Sequence, residues 1–595
     1  MLKRFFLNLA SSFVGAWIAL ALFGLTILLI IIAFAGKMAM TSAVTEKVKS
    51  RSILKIELNG MIEERQMALE PDMMQLFNGN LSKPQTLDVL VESIREAAEN
   101  DDILCIYLKC GAMSASPATA NALRHELMEF KKSGKKIYAY GDALTQGCYY
   151  IASVADKIYL NPSGQLELHG LGGTTLFFKD LCSKLGVNFQ VVKVGTFKSA
   201  VEPYILSEMS GPARAQLDTL YGNIWGYMKR GIAEARKGVT PQKLDSLISR
   251  DFITFEPAAT AVKAGLVDSL IYEHVMNQKL ADLSGKSVEK MNFVSPSTLV
   301  SQTPWSDAYS SKHQIAVLFA VGEIADGNNN AINYETLVPQ IIKLADDDNV
   351  KGLVLRVNSP GGSAFGSDQI GEALDYFKSK GKPLAVSMGD YAASGGYWIS
   401  AGADKIFADP LTITGSIGIF GLIPNFKGTL NMLGVNPQMV ATNPEANFPT
   451  GFEPMNEEQL GVMQKYVDRG YEQFVYRVAK GRHMSVQAVK RIAEGRVWDA
   501  MNARKIGLVD SLAYLQNAIE WTAAKAKIAN KYDVAAYPEI EPGFWDIVFS
   551  DGSTMAQLKE AISSHNTDAV KLHMVRRILS RKHLQAKMPE ISVKM

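Results

Sequence analysis

GDALTQGCYYIASVADKIYLNPSGQLELHG, residues 141–170, and GDYAASGGYWISAGADKIFADPLTITGSIG, residues 389–418, are two versions of one pattern. They align without a gap at an offset of 248: Gly141-Asp142 falls on Gly389-Asp390, Ala155-Asp156-Lys157-Ile158 on Ala403-Asp404-Lys405-Ile406, Pro162 on Pro410 and Gly170 on Gly418. The match runs on to Leu185-Gly186-Val187-Asn188 over Leu433-Gly434-Val435-Asn436. Gly265 to Leu270 then recurs as Gly507 to Leu512 at an offset of 242, a net loss of six residues. A self-match of this length identifies a duplicated domain.

Working outward, each copy opens on an apolar strand pattern, Ile53 to Leu58 and Ile315 to Val321. Each then alternates helix-length amphipathic segments with short apolar runs such as Ile103 to Leu108 and Leu353 to Val357. Nearly all-apolar strands separated by helices describe a parallel sheet covered on both faces. The fold class is therefore α/β, in two tandem copies: 50–283, a linker at 284–312 rich in Ser, Thr and Pro, and 313–525. A tail, 526–595, follows. Within it Met555 to Lys587 interleaves Arg576, Arg577, Arg581 and Lys582 with Leu572, Val575, Ile578 and Leu579, which predicts a solvated, oligomer-contact or membrane-surface helix.

The first 36 residues are different in kind. Phe13 to Ala35 carries no charge and has Thr26 as its one clearly polar side chain. As a helix it would reach about 34 Å, enough for the roughly 30 Å hydrocarbon core. With Lys3 and Arg4 ahead of it, the run predicts a retained anchor rather than a removed leader, and either reading leads out of the cytoplasm.

Composition bounds the function. The 595 residues are 47% apolar, ample for two cores. Lys plus Arg total 62 against 60 for Asp plus Glu, a net charge of +2 that argues against nucleic acid as a partner. Cys105, Cys110, Cys148 and Cys182 form no CxxC pair and no zinc spacing, so no metal is expected, and no cofactor either. Cys105 and Cys110 sit in an apolar run and read as buried thiols.

The two copies differ where chemistry would lie. The second has Asn358-Ser359-Pro360-Gly361-Gly362 straight after a strand, where the first has Cys110-Gly111-Ala112-Met113. Adjacent glycines there let backbone N–H groups turn towards a bound oxygen. The second copy also has Thr414-Gly415-Ser416-Ile417-Gly418, and the offset puts Leu168 at the serine's place in the first. The first copy in turn has Gly195-Thr196-Phe197-Lys198-Ser199-Ala200-Val201-Glu202-Pro203, and the same offset, extended past the last identity, places Ala446 at about the lysine's position. A serine, a lysine and an oxyanion loop are the parts of a Ser-Lys acyl-transfer site. A lysine acts as a base only when burial lowers its pKa, and Val194, Phe197 and Val201 around Lys198 suit that. Ser394, in Ala392-Ala393-Ser394-Gly395-Gly396, is a competing nucleophile or a supporting hydroxyl. Lys405, repeated as Lys157 in the copy without the serine, reads as structural. A Ser-His-Asp site finds no GxSxG elbow, and His169 is the one histidine near a repeat motif.

GTFKSAVEPY (Gly195–Tyr204), SPGG (Ser359–Gly362), YAASGGYWISAGAD (Tyr391–Asp404) and TGSIGIFG (Thr414–Gly421) together resemble the long, duplicated members of the signal peptide peptidase A, or protease IV, family. That family lies in the crotonase-like superfamily with the Clp protease subunit. The resemblance implies Ser416 as nucleophile and Lys198 as general base. It further implies a homotetramer anchored in the bacterial inner membrane, facing the periplasm and degrading cleaved signal peptides and other apolar peptides. Gly361, Gly362 and Gly415, with the Ser416 N–H, are the expected oxyanion and substrate contacts. A membrane-anchored peptide-binding scaffold without catalysis is the alternative. An acyl-CoA enzyme gains only from the Gly-Gly loop and from fold analogy.

Overall fold

A computed structural model describes residues 48–65, 85–539 apart from 251, 301–310, 326, 328–331, 444 and 447, and a strand at 585–587. The predicted anchor, Phe13 to Ala35, lies outside the described residues, as does most of the tail helix read from the sequence. Among the described residues no helix is long and apolar enough to cross a membrane.

The first copy forms β1 (Ser52–Glu63), β2 (Gln85–Thr86), β3 (Ile103–Ser114), β4 (Lys136–Leu144), β5 (Lys157–Leu166), β6 (Asn188–Lys193), β7 (Ser269–Leu270) and β8 (Phe293–Val294). All but β6 join one sheet, ordered β2-β1-β3-β4-β5-β7 with β8 also on β1, and every pairing in it is parallel. The second copy forms β9 (Gln314–Val321), β10 (Val350–Ser359), β11 (Gly361–Ser363), β12 (Leu384–Ala393), β13 (Lys405–Ala408), β14 (Ile413–Gly415), β15 (Phe420–Asn425), β16 (Val497–Asp499), β17 (Ser511–Leu512) and β18 (Asp533–Tyr537). Its sheet runs β16-β14-β12-β10-β9-β18, with β13 and β17 branching from β12, and only the β14·β16 pairing is antiparallel. The apolar runs Ile103–Leu108 of β3 and Leu353–Leu355 of β10 lie in the buried middle of each sheet.

Each copy ends by sending a short strand back beside its own first strand, β8 onto β1 and β18 onto β9. So the Ser/Thr/Pro-rich stretch read as a linker contributes β8 and the helix Pro296–Val300 to the first copy. The tail reading is corrected at its end: Gln585–Lys587 is β19, a strand and not helix. It joins a third, small sheet ordered β11-β19-β15-β6, antiparallel throughout, which draws strands from both copies and the tail.

Polar side chains stitch the copies together. Buried Arg356 donates from Nε to Glu64 at 2.6 Å and from Nη1 to Ser387 Oγ and the Met388 carbonyl. Asn358 bridges Glu64 and Asp390 at 3.0 Å each, and Asp390 accepts the Thr119 N–H and hydroxyl. Breaking a buried pair leaves the other charge stranded. Arg356→Met is expected to cost about 3–5 kcal/mol, and Glu64→Gln/Arg356→Met to recover part of it, read from urea-unfolding midpoints.

Candidate active site

Strand register brings the sequence candidates together. β12 and β14 run parallel with Ala392 beside Thr414 and Ala393 beside Gly415, so the residues that follow them, Ser394 and Ser416, emerge side by side. The Ser394 N–H donates to the Gly415 carbonyl at 2.8 Å, which ties the two turns together. Both serines have positive φ, 56° and 52°. That is a conformation costing a non-glycine residue on the order of 1–3 kcal/mol, held because the flanking strands fix the chain on either side.

The lysine arrives from the other copy. β6 pairs antiparallel with β15 over six rungs, from Asn188 beside Asn425 to Lys193 beside Phe420, and the Val194 N–H to Ile419 carbonyl bond extends the register. Ser416 lies four residues before Phe420 and Lys198 five after Lys193, so the pairing brings the segments that carry them to the same end of the ladder. Lys198 Nζ lies 3.1 Å from Ser416 Oγ, 3.2 Å from the Ser416 carbonyl and 2.7 Å from Ser394 Oγ.

Lys198, Ser394 and Ser416 are all completely buried. Burial holds the lysine pKa well below its usual 10.5, and no carboxylate pairs with it among the described residues to oppose that shift. A neutral amine has two N–H donors and one lone pair. The Ser416 carbonyl can only accept, and Ser394 Oγ is the closest neighbour. Giving those two oxygens the N–H bonds leaves the lone pair for the Ser416 hydroxyl proton.

A loop absent from the sequence reading clamps the lysine. Glu494, at φ 53°, takes the Phe197 N–H on its carbonyl at 2.9 Å, and the Gly495 N–H donates to the Ile417 carbonyl at 2.8 Å. A Cβ on Gly495 would stand 2.6 Å from Lys198 Cβ, so no side chain fits. The Arg496 guanidinium stacks on Phe197 and Trp498. Gln216 ties Phe197 and Ser199 to the Val497 N–H. The local signal was the Glu-Gly-Arg sequence, which on its own reads as an ordinary turn.

The expected oxyanion contacts need correction. The Ser416 N–H donates to the Arg496 carbonyl at 2.7 Å, and the Gly361 N–H to Ser359 Oγ at 3.2 Å, so both are engaged. Gly415 sits within β14, its carbonyl taken by Ser394. Gly361 gives its carbonyl to the Ile324 N–H, and Ser363 gives its N–H to the Ile324 carbonyl, which turns the Gly362 N–H and carbonyl the other way, into the cleft. Gly362 has no room for a Cβ against Ile324.

The first copy's counterpart is closed. Gln146, at the place of Ser394, accepts the His169 and Gly170 N–H groups and donates to the Gly170 carbonyl, while Leu168 fills the place of Ser416. His169 is spent on that turn, far in sequence and role from the serine.

A model described as Peptidase family S49 matches residues 129–287 and again 376–529, once in each copy, and one described as Clp protease matches 301–411. Protease 4 of Haemophilus influenzae is 35% identical over 510 residues, 83% of this chain and 82% of that protein. Protease 4 of Salmonella typhi is 35% identical over 546 residues, 87% and 85% of the two chains. A chloroplastic serine protease SPPA of Arabidopsis thaliana is 27% identical over 492 residues, 81% and 70%.

The buried lysine has a measurable cost. Because its folded pKa is depressed, the unfolded chain holds a proton that the folded chain lacks between that pKa and about 10.4, and stability rises with pH across that window. Lys198→Met is therefore expected to unfold at higher urea than the parent at pH 7, with the gap narrowing as pH approaches 10.

Proposed function

The chain is a serine protease of peptidase family S49 with the α/β fold of Clp protease in duplicate, and from that premise we propose that Ser416 is its nucleophile and Lys198 its general base. The observation that carries this is the buried 3.1 Å contact between Lys198 Nζ and Ser416 Oγ. Ser416 Oγ attacks the scissile carbonyl carbon while its proton passes to the Lys198 lone pair. Collapse of the tetrahedral intermediate breaks the C–N bond, and Lys198 returns the proton to the leaving amine. Water, deprotonated by Lys198, then hydrolyses the ester and frees Ser416. Ser394 is a positioning residue: accepting a lysine N–H, it keeps the lone pair aimed at Ser416. The Gly362 N–H, which faces the cleft, and the Ile417 N–H, which no acceptor takes among the described residues, are the donors for the oxyanion. No cofactor enters this scheme.

The substrates are apolar peptides, signal-peptide remnants among them, and the anchor is Phe13 to Ala35 in the bacterial inner membrane with the body in the periplasm. An enzyme tethered at the bilayer meets released apolar segments where they concentrate, and its lipid contact is that helix. A homotetramer is the assembly, supported by an unused contact. Within the chain the Gly186 turn packs on Gly428 and Thr429, where the Thr429 N–H meets the Gly186 carbonyl at 3.1 Å. The equivalent turn of the second copy is open, with nothing near Gly434 and with Leu433 72% exposed. The same contact repeated from chain to chain would be head-to-tail, the kind of interface from which cyclic oligomers are built.

Cleavage of a fluorogenic apolar peptide is expected to fall at least 10³-fold in Ser416→Ala and in Lys198→Ala, and on the order of tenfold in Ser394→Ala. In the parent, kcat/KM should rise with pH through the depressed lysine pKa and then level, since only the neutral amine accepts the serine proton. Undiminished cleavage in both Ser416→Ala and Lys198→Ala would refute the dyad and favour a binding role for this cleft.

A further inference from the structure

We propose that Gln216 is a positioning residue for the reaction, one side chain that fixes the backbones of the base and the nucleophile relative to each other; the inference rests on the Ser416–Lys198 reading of the site. Gln216 lies near the start of the helix Gly211–Ala235 of the first copy and is 3% exposed. Its Nε2 donates to the Phe197 carbonyl at 3.3 Å and to Ser199 Oγ at 3.2 Å, and its Oε1 accepts the Val497 N–H at 3.3 Å. Both of its N–H groups and its oxygen are therefore used.

The two backbone partners belong to peptide planes that touch the dyad. A peptide unit moves as one rigid group, so the Phe197 carbonyl carries the Lys198 N–H with it. By the same rule the Val497 N–H carries the Arg496 carbonyl, and that carbonyl takes the Ser416 N–H at 2.7 Å. The path from base to nucleophile is thus short: the backbone at Lys198, the Gln216 amide, the Arg496–Val497 peptide, the backbone at Ser416. The β6·β15 ladder ends at Lys193 and Phe420, five and four residues away from the two reacting side chains. Gln216 completes at the site the alignment that the ladder begins at a distance. The Glu494 carbonyl grips Phe197 by its N–H, and Gln216 grips it by its carbonyl.

The helix has no need of an amide there to fold. It ends on Arg236, which donates to the Gly265 carbonyl and to Asp268, and the second copy's helix Glu457–Gly481 ends on Arg482, which donates to the Gly507 carbonyl and to Asp510. Matching the two arginines gives an offset of 246, which puts Val462, 51% exposed, at the place of Gln216. The helix is also seated on β16 independently, since Asn223 Nδ2 donates to Asp499 Oδ2 at 2.9 Å. The hydrogen bonds of Gln216 go instead to the residues on either side of Lys198 and to the peptide that holds Ser416.

The test is steady-state cleavage of the fluorogenic apolar peptide by the full chain. Gln216→Met is close in shape but has no amide, and Gln216→Asn keeps the amide but is one methylene too short to span both planes. In each, kcat is expected to fall on the order of 10- to 100-fold with KM within about twofold, because the dyad is misaligned while the peptide still binds. Asn223→Leu loosens the same helix without touching either plane; it is expected to lower the urea-unfolding midpoint and leave kcat unchanged. Should Gln216→Met fail to fold, Gln216→Asn carries the comparison. A parental kcat in the folded Gln216 variants overturns the proposal, and so does an equal loss of kcat in Asn223→Leu. Ser416→Ala and Lys198→Ala separate this role from the reading beneath it. If both cleave undiminished, the dyad fails and the positioning role falls with it; if both are inactive while the Gln216 variants match the parent, the positioning role alone fails.

Discussion

The antiparallel pairing of β6 with β15 is the constraint on which the site depends. Six rungs of backbone hydrogen bonding between two copies of one fold fix where Lys198 stands to within a side chain's reach of Ser416. Held in the turn that follows β6 and closed over by the Glu494–Arg496 loop, Lys198 is dry, and desolvation does what a neighbouring carboxylate cannot: it favours the neutral amine. The cost is accepted in three places, a buried amine and two serines in a backbone conformation that suits glycine. The network of Arg356, Glu64, Asn358 and Asp390 holds the copies in the one arrangement that keeps this register.

Duplication has also removed chemistry. Gln146 and Leu168 occupy the first copy's equivalents of Ser394 and Ser416, and the glutamine satisfies the turn's backbone N–H groups and carbonyl with a single side chain. A hydroxyl there would have left some of those groups unpaired. The first copy thus closes its own turn and lends Lys198 to the pocket where the second copy places Ser394 and Ser416.

Much of this was legible in the sequence because repetition and hydrophobic runs are local and additive. The offset of 248 marks the duplicated α/β body, and the differences between the copies single out Ser416 and Lys198, which the fold brings to 3.1 Å of each other. Three features were not legible. The clamp at Glu494–Arg496 depends on a positive-φ turn meeting a segment some 300 residues away in sequence, and three residues carry no periodicity. The fate of the Ser416 and Gly361 N–H groups depends on which carbonyl or hydroxyl happens to lie across from them. β19 was read as helix because its alternation of basic and apolar residues follows a helical face, whereas its conformation is set by two strand edges elsewhere in the chain.

The order of the halves along the chain has a consequence for biosynthesis. Lys198 precedes Ser416 by 218 residues. A growing chain therefore completes Lys198 long before Ser416, and the two side chains meet only once the second copy has docked on the first. Neither half holds both side chains while it waits for the other.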